Sequence, residues 1–221
     1  VTNASKMLKA CAAFDKPLTL ELPEATTVES ALEDCASFNS SFVVNGPKVT
    51  NASKLLKGAL LFNQPVTDTM LNIPLVEDLE STFEGCLALN EDIVLDNTSK
   101  TTNMKAMFAA CISLNKKIDM DSTNVTTLES FLEDALVFDN SIRRIDTTHN
   151  VVTMKNMLKN CLEFNQNIEA LETTNLEIME GMLEGCVNYN QNLESLLAPG
   201  NKVTNMKLSL IHISEPTRHS I

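Results

Sequence analysis

Apolar and polar positions along this chain repeat with a period near 25 residues. A large apolar residue followed by Asn or Asp recurs at Phe14-Asp15, Phe38-Asn39, Phe62-Asn63, Leu89-Asn90, Leu114-Asn115, Phe138-Asp139, Phe164-Asn165 and Tyr189-Asn190. Three residues before each pair stands a small residue: Cys11, Cys35, Ala59, Cys86, Cys111, Ala135, Cys161, Cys186. Further apolar columns lie three and seven residues before the small one (Leu8 and Ala4 in the first repeat) and seven after it (Leu18). Several columns in register over eight units mark a tandem repeat, in which each unit buries its apolar side only against its neighbours.

The pattern predicts the elements of each unit. Apolar positions spaced four and three apart describe one face of a short helix. Thr26 with Glu29, and Thr126 with Glu129, have the spacing of capping boxes at its start. Alternating runs such as Leu18–Leu22 and Ile118–Met120 predict half-buried strands, with Pro23 and Pro74 closing two of them. The expected fold is an α/β repeat solenoid, leucine-rich-repeat-like, of eight coils of about 25 residues. Parallel short strands would form one side and short helices the other, in a sheet of roughly 40 Å at ~4.8 Å per strand. The coils fill residues 1–207 and read as truncated at both ends. Coils at 1–24 and 176–207 lack a polar cap, so end-to-end self-association is expected. Residues 208–221 are set outside the fold: Leu208–Arg218 resembles a translated sequencing adapter, and Pro216 stands where the phasing requires an aromatic residue or Leu.

The run Met104-Lys-Ala-Met-Phe108-Ala-Ala-Cys111-Ile-Ser-Leu114-Asn-Lys-Lys-Ile118 is similar to the surface-antigen, BspA-like leucine-rich repeat. Val203-Thr-Asn-Met206 and Phe164-Asn-Gln-Asn-Ile168 resemble the related mycoplasma-type surface-lipoprotein repeat, although the Trp usual after its strand is missing. The resemblance implies cell-surface adhesion and protein–protein contact.

Composition narrows the chemistry. A formal charge of −12 argues against nucleic acid, which needs a basic face. No apolar run approaches the ~18 residues that would span a bilayer. All six cysteines share one column that also admits Ala, which suggests buried thiols in a small apolar slot, with disulfides between adjacent coils as the alternative. No CxxC spacing offers a metal site. The Asn/Asp column reads as an internal amide ladder for turn backbone groups rather than a calcium ladder. His149 lies in a loop with no assembled nucleophile or orienting acid. Of five glycosylation sequons, at Asn3, Asn39, Asn51, Asn97 and Asn124, Asn39 falls in the ladder and is expected to be inaccessible. No enzyme activity and no cofactor are expected.

The outward strand row runs Thr19, Val43, Thr67, Val94, Asp119, Arg143, Glu169, Glu194. Its charged half places ligand contact at Asp119, Arg143 and Glu169. A protein, host or matrix ligand on this face is expected, on a cell-surface or secreted protein; an intracellular interaction scaffold is the alternative. Two residues before the Cys column, signs alternate as Lys9, Glu33, Lys57, Glu84, Ala109, Glu133, Lys159, Glu184. Such alternation turns repulsion between stacked coils into attraction.

Overall fold

The computed structural model describes residues 1–143, 149–168, 171, 174–193 and 202–204. Its strands are β1 (Leu18–Glu21), β2 (Phe42–Asn45), β3 (Val66–Thr67), β4 (Leu71–Asn72), β5 (Ile93–Leu95), β6 (Ile118–Met120) and β7 (Ile142–Arg143). All pairing among them is parallel and joins equivalent positions of successive repeats, as in Leu18↔Phe42 and Ile93↔Ile118↔Ile142. The expected single sheet is two sheets, ordered β1-β2-β4 and β3-β5-β6-β7. The unit between Phe62 and Leu89 is the longest, with 27 residues, and it carries both β3 and β4. Its extra residues let it pair backward through β4 and forward through β3, and the sheet divides there.

The helical layer is absent, and with it the α/β solenoid expected from the spacing: among the described residues there is no helix. The segment before each small residue is instead a run of tight turns. Every unit holds two left-handed residues four apart, for example Ser30 and Asp34, Ser81 and Gly85, Ala106 and Ala110, Gly181 and Gly185. No α-helix survives a left-handed residue in each turn. In the second unit the Ala31 amide donates to the Val28 carbonyl and the Cys35 amide to that of Leu32, closing turns whose third residues are Ser30 and Asp34. The amides between them point to the next unit: Val28, Ser30, Leu32 and Asp34 donate to the carbonyls of Asn51, Ser53, Leu55 and Lys57. Half of the donors thus close turns and half form a parallel ladder along the stack. Satisfaction of backbone groups is as complete as in a helix, but through neighbouring units rather than within one.

The capping boxes are likewise replaced. The hydroxyls of Thr26 and Thr126 donate to the Thr2 and Thr102 carbonyls of the preceding units. The neighbouring residue makes the local turn: the Glu29 amide donates to Thr27 Oγ1 and the Ser53 amide to Asn51 Oδ1.

The core lies between the turn face and the strand face and is continuous along the stack. The aromatic column stacks through it, Phe14–Phe38–Phe62 at centroid separations of 5.7 and 6.2 Å. Where Leu89 and Leu114 interrupt that column, Phe83 and Phe108 carry the stack at 5.5 Å. Ring pairs at such distances add about 0.5–1.5 kcal/mol each to burial. The first repeat exposes more of its apolar side: Met7 is exposed, whereas its equivalents Leu55, Met107 and Met157 are buried.

Candidate functional site

The strand face carries the predicted contact row. Thr67, Val94, Asp119 and Arg143 are register partners across β3, β5, β6 and β7, so they stand side by side on consecutive units. Thr19 and Val43 pair on the other sheet, separated from that row by the sheet division. Asp119 is half-buried, and Lys117 Nζ lies 2.7 Å from its Oδ2. The structure thus brings Asp119 and Arg143 together at the backbone level. The Arg143 side chain, Glu169 and Glu194 lie outside the described residues, as do 205–221, which include the proposed tail.

At the sheet division a cleft of about 230 Å³ opens between Ser41, Phe42, Val43, Gln64, Pro65, Thr67, Thr69 and Met70. Its lining has no charged group, so it offers shape and hydrogen bonds but no acid or base. Among the described residues no group of three or more His, Cys, Asp or Glu side chains is placed to hold a metal ion. His149 sits in an exposed turn, where its carbonyl accepts from Asn175 Nδ2 at 2.7 Å.

The Asn/Asp column does act as a ladder. Each Oδ1 accepts the backbone amide of its counterpart one unit on: Asp15 from Asn39, Asn39 from Asn63, Asn63 from Asn90, and so to Asn165 from Asn190, at 2.8–3.0 Å. The Asn39 amide beside it holds the Asp15 carboxyl below the usual range. The ladder runs along a wet edge rather than inside, so the expectation that Asn39 is inaccessible fails: it is exposed.

The cysteine column has a geometry that the spacing did not reveal. Five of the thiols are buried, and all six are free. Each buried Sγ donates to a carbonyl of the preceding unit, Cys35 to Leu8, Cys86 to Leu56, Cys111 to Phe83, Cys161 to Leu132 and Cys186 to Leu158, at 3.0–3.3 Å. Burial pushes the thiols up, Cys186 to about 12. Cys11, in the first unit, is exposed.

The charge ladder is also present, on the outer side of the turn face. Lys9 Nζ lies 2.8 Å from Glu33, Lys57 2.9 Å from Glu84, and Lys159 within 3.8 Å of both Glu133 and Glu184. The companion row four residues earlier adds Lys105–Glu129 and Lys155–Glu180.

The left-handed columns are what sequence reasoning missed, and a signal was there. The position just before the Cys column reads Ala10, Asp34, Gly58, Gly85, Ala110, Asp134, Asn160, Gly185. Gly, Asn and Asp are the residues that tolerate this conformation.

Among known families, the model described as "Mycoplasma protein of unknown function, DUF285" matches twice, over residues 43–123 and 119–217. No curated protein and no solved structure matches the chain.

Proposed function

We propose, taking as premise that this chain belongs to the DUF285 family of Mycoplasma-type proteins, that it is a non-enzymatic protein-binding repeat module acting in adhesion at a cell surface. The observation that carries the reading is the in-register row Thr67, Val94, Asp119, Arg143, which sets one residue per unit side by side on a parallel ladder. Extended, repetitive surfaces of this kind suit a protein partner better than a small molecule, which prefers an enclosed apolar pocket. The resemblance to surface-antigen and surface-lipoprotein repeats supports a location at the cell surface or outside the cell. Ligand contact centres on Asp119 and Arg143, with Glu169 next along the sequence-defined row.

The test is binding of the purified chain to cultured epithelial cells and to immobilised extracellular-matrix protein. Alanine at Asp119, Arg143 and Glu169 should weaken binding about tenfold or more if they form a hot spot, with an unchanged melting temperature. Binding of the triple variant at wild-type strength would remove the strand face from consideration. A second reading, an intracellular scaffold, is favoured by the free thiols, whose S–H donors are kept in a reducing compartment. Protease treatment of intact cells separates the two, since only a surface protein is shaved.

A further inference from the structure

The division between the two sheets leaves a gap in the backbone ladder. At the first strand position of other units the amide donates to a carbonyl of the next unit: Leu18 to Ser41, Val66 to Asp92, Ile93 to Lys117 and Ile118 to Ser141. Phe42 makes no such bond to Pro65, and β2 and β3, although on consecutive units, are not paired. The bond that would return from the Thr67 amide to the Phe42 carbonyl is missing with it. Pairing of β2 resumes one step further on, where the Val44 amide donates to the Met70 carbonyl and the Gly46 amide to that of Asn72. The gap is therefore short. One wall offers the N–H and C=O of Phe42; the other offers the C=O of Pro65 and the N–H of Thr67. By strand alternation the Pro65 nitrogen faces the same side as that of Thr67, but it carries no hydrogen, which closes the template at this end. At the other end the chain leaves the strand, and the Met70 amide turns back to Thr67 Oγ1 at 3.4 Å.

We propose that this gap receives one residue of an extended segment of a partner protein, which enters as an added strand between β2 and β3. The proposal rests on the protein-binding reading and names how part of the partner is held. Backbone groups set on both walls at the spacing of a parallel ladder specify another backbone. The inserted residue donates its amide to the Pro65 carbonyl and accepts from the Thr67 amide. The peptide group before it accepts from the Phe42 amide, and the one after it donates to the Phe42 carbonyl. One residue thus supplies every bond that the division removed.

Volume and lining agree with this occupant. From its rise, the strand spacing and the ~10 Å depth of a sheet layer, one strand residue takes roughly 160 Å³. The cleft at the division holds about 230 Å³, room for one residue and part of its flanking groups. The inserted side chain points toward Phe42 and Val66, which are buried, so it must be small. Its neighbours point outward beside Val43 and Thr67, in a lining without charge, so they are uncharged. Thr67 also begins the register row through Val94, Asp119 and Arg143, so the added strand extends that row by one position.

The experiment titrates the full ¹⁵N-labelled chain with the peptide acetyl-Ser-Val-Ala-Thr-Ser-amide. In the free chain the amides of Phe42 and Thr67 should exchange with solvent faster than those of Val44 and Val66, which have carbonyl partners. With peptide, the Phe42 and Thr67 amide protons should move downfield and become protected. An analogue N-methylated at its Ala lacks the donor for Pro65 and should bind at least roughly tenfold more weakly. Thr69→Arg puts bulk and charge at an exposed position of the cleft and should weaken binding as much, at unchanged circular dichroism. No shift at millimolar peptide, shifts that spare Phe42 and Thr67, or equal binding of the N-methylated analogue would each overturn the proposal. The same shifts with N-acetylglucosamine but not with the peptide would assign the cleft to an acetamido sugar and overturn it too. Failure here with cell or matrix binding intact removes only the added strand, whereas peptide binding without adhesion removes only the surface reading.

Discussion

Replacing Gly85 by alanine distinguishes stacked turns from a helix by the sign of the change in stability. Gly85 has φ +73°, and a Cβ built on it meets nothing nearer than the Gly58 backbone at 3.8 Å. That is ordinary van der Waals contact, so sterics contribute little and the conformation decides. Holding an L-residue with a Cβ in the left-handed region costs about 1–2 kcal/mol. Loss of glycine's freedom in the unfolded chain returns about 0.4–1 kcal/mol. The net expectation is a loss of about 0.5–1 kcal/mol, or ~1–4 °C in melting temperature for a chain of this size. In a helix interior the same change would stabilise by about 1 kcal/mol. Ala110, at the same position one unit on, has φ +56°, so Ala110→Gly should move the melting temperature the other way. Gly85→Asn should be nearly silent, because Asn156 and Asn160 already hold this conformation at φ 55° and 59°. The assay is thermal unfolding followed by far-ultraviolet circular dichroism, together with urea denaturation. A stabilised Gly85→Ala alongside a destabilised Ala110→Gly would refute the turn stack.

Three further outcomes follow from the columns. Lys57→Glu breaks the 2.9 Å pair with Glu84 and sets three acids in a row from Glu33 to Glu84; the melting temperature should fall at low salt by the equivalent of ~0.2–1 kcal/mol and largely recover at ~1 M salt. The thiols of Cys86, Cys111, Cys161 and Cys186 are all raised by burial, so the unfolded chain releases their protons first. Their contribution to stability is whole below pH 9 and is lost as pH rises from there toward the folded value, about 12 for Cys186; a pH series of melts should show this decline, and a thiol reagent at pH 8 should modify Cys11 alone before unfolding. Asn90→Ala removes the acceptor of the Asn115 amide, 2.9 Å away, and, because water can reach this edge, should cost about 0.5–1.5 kcal/mol in urea denaturation. Asn90→Asp should cost less, since Asp139 fills the same role toward Asn165.

Much of this protein was legible in the sequence. The period, the inward columns, the strand positions at Leu18 and Ile118, the amide ladder and the alternating charges all follow from self-similarity, because stacked units place equivalent residues together whatever their local conformation. The Cys column was readable as a small buried slot, but its thiol-to-carbonyl bonds were not, since the acceptor belongs to a different unit. The row containing Asp119 and Arg143 was also readable, because adjacent units set its register.

The tertiary structure alone decided what the turn face is made of. Apolar spacings of four and three describe an α-helix and a pair of four-residue turns equally well, since both return a side chain to the same face at that interval. The choice rests on where backbone amides such as those of Ser30 and Asp34 find acceptors, and those acceptors are the carbonyls of Ser53 and Lys57 one unit away. The sheet division has a similar origin: the 27-residue spacing was visible, but its consequence depends on which of two short segments, β3 or β4, pairs with which neighbour. Sequence periodicity specifies which residues face inward, and hydrogen bonding between units specifies the backbone that takes them there.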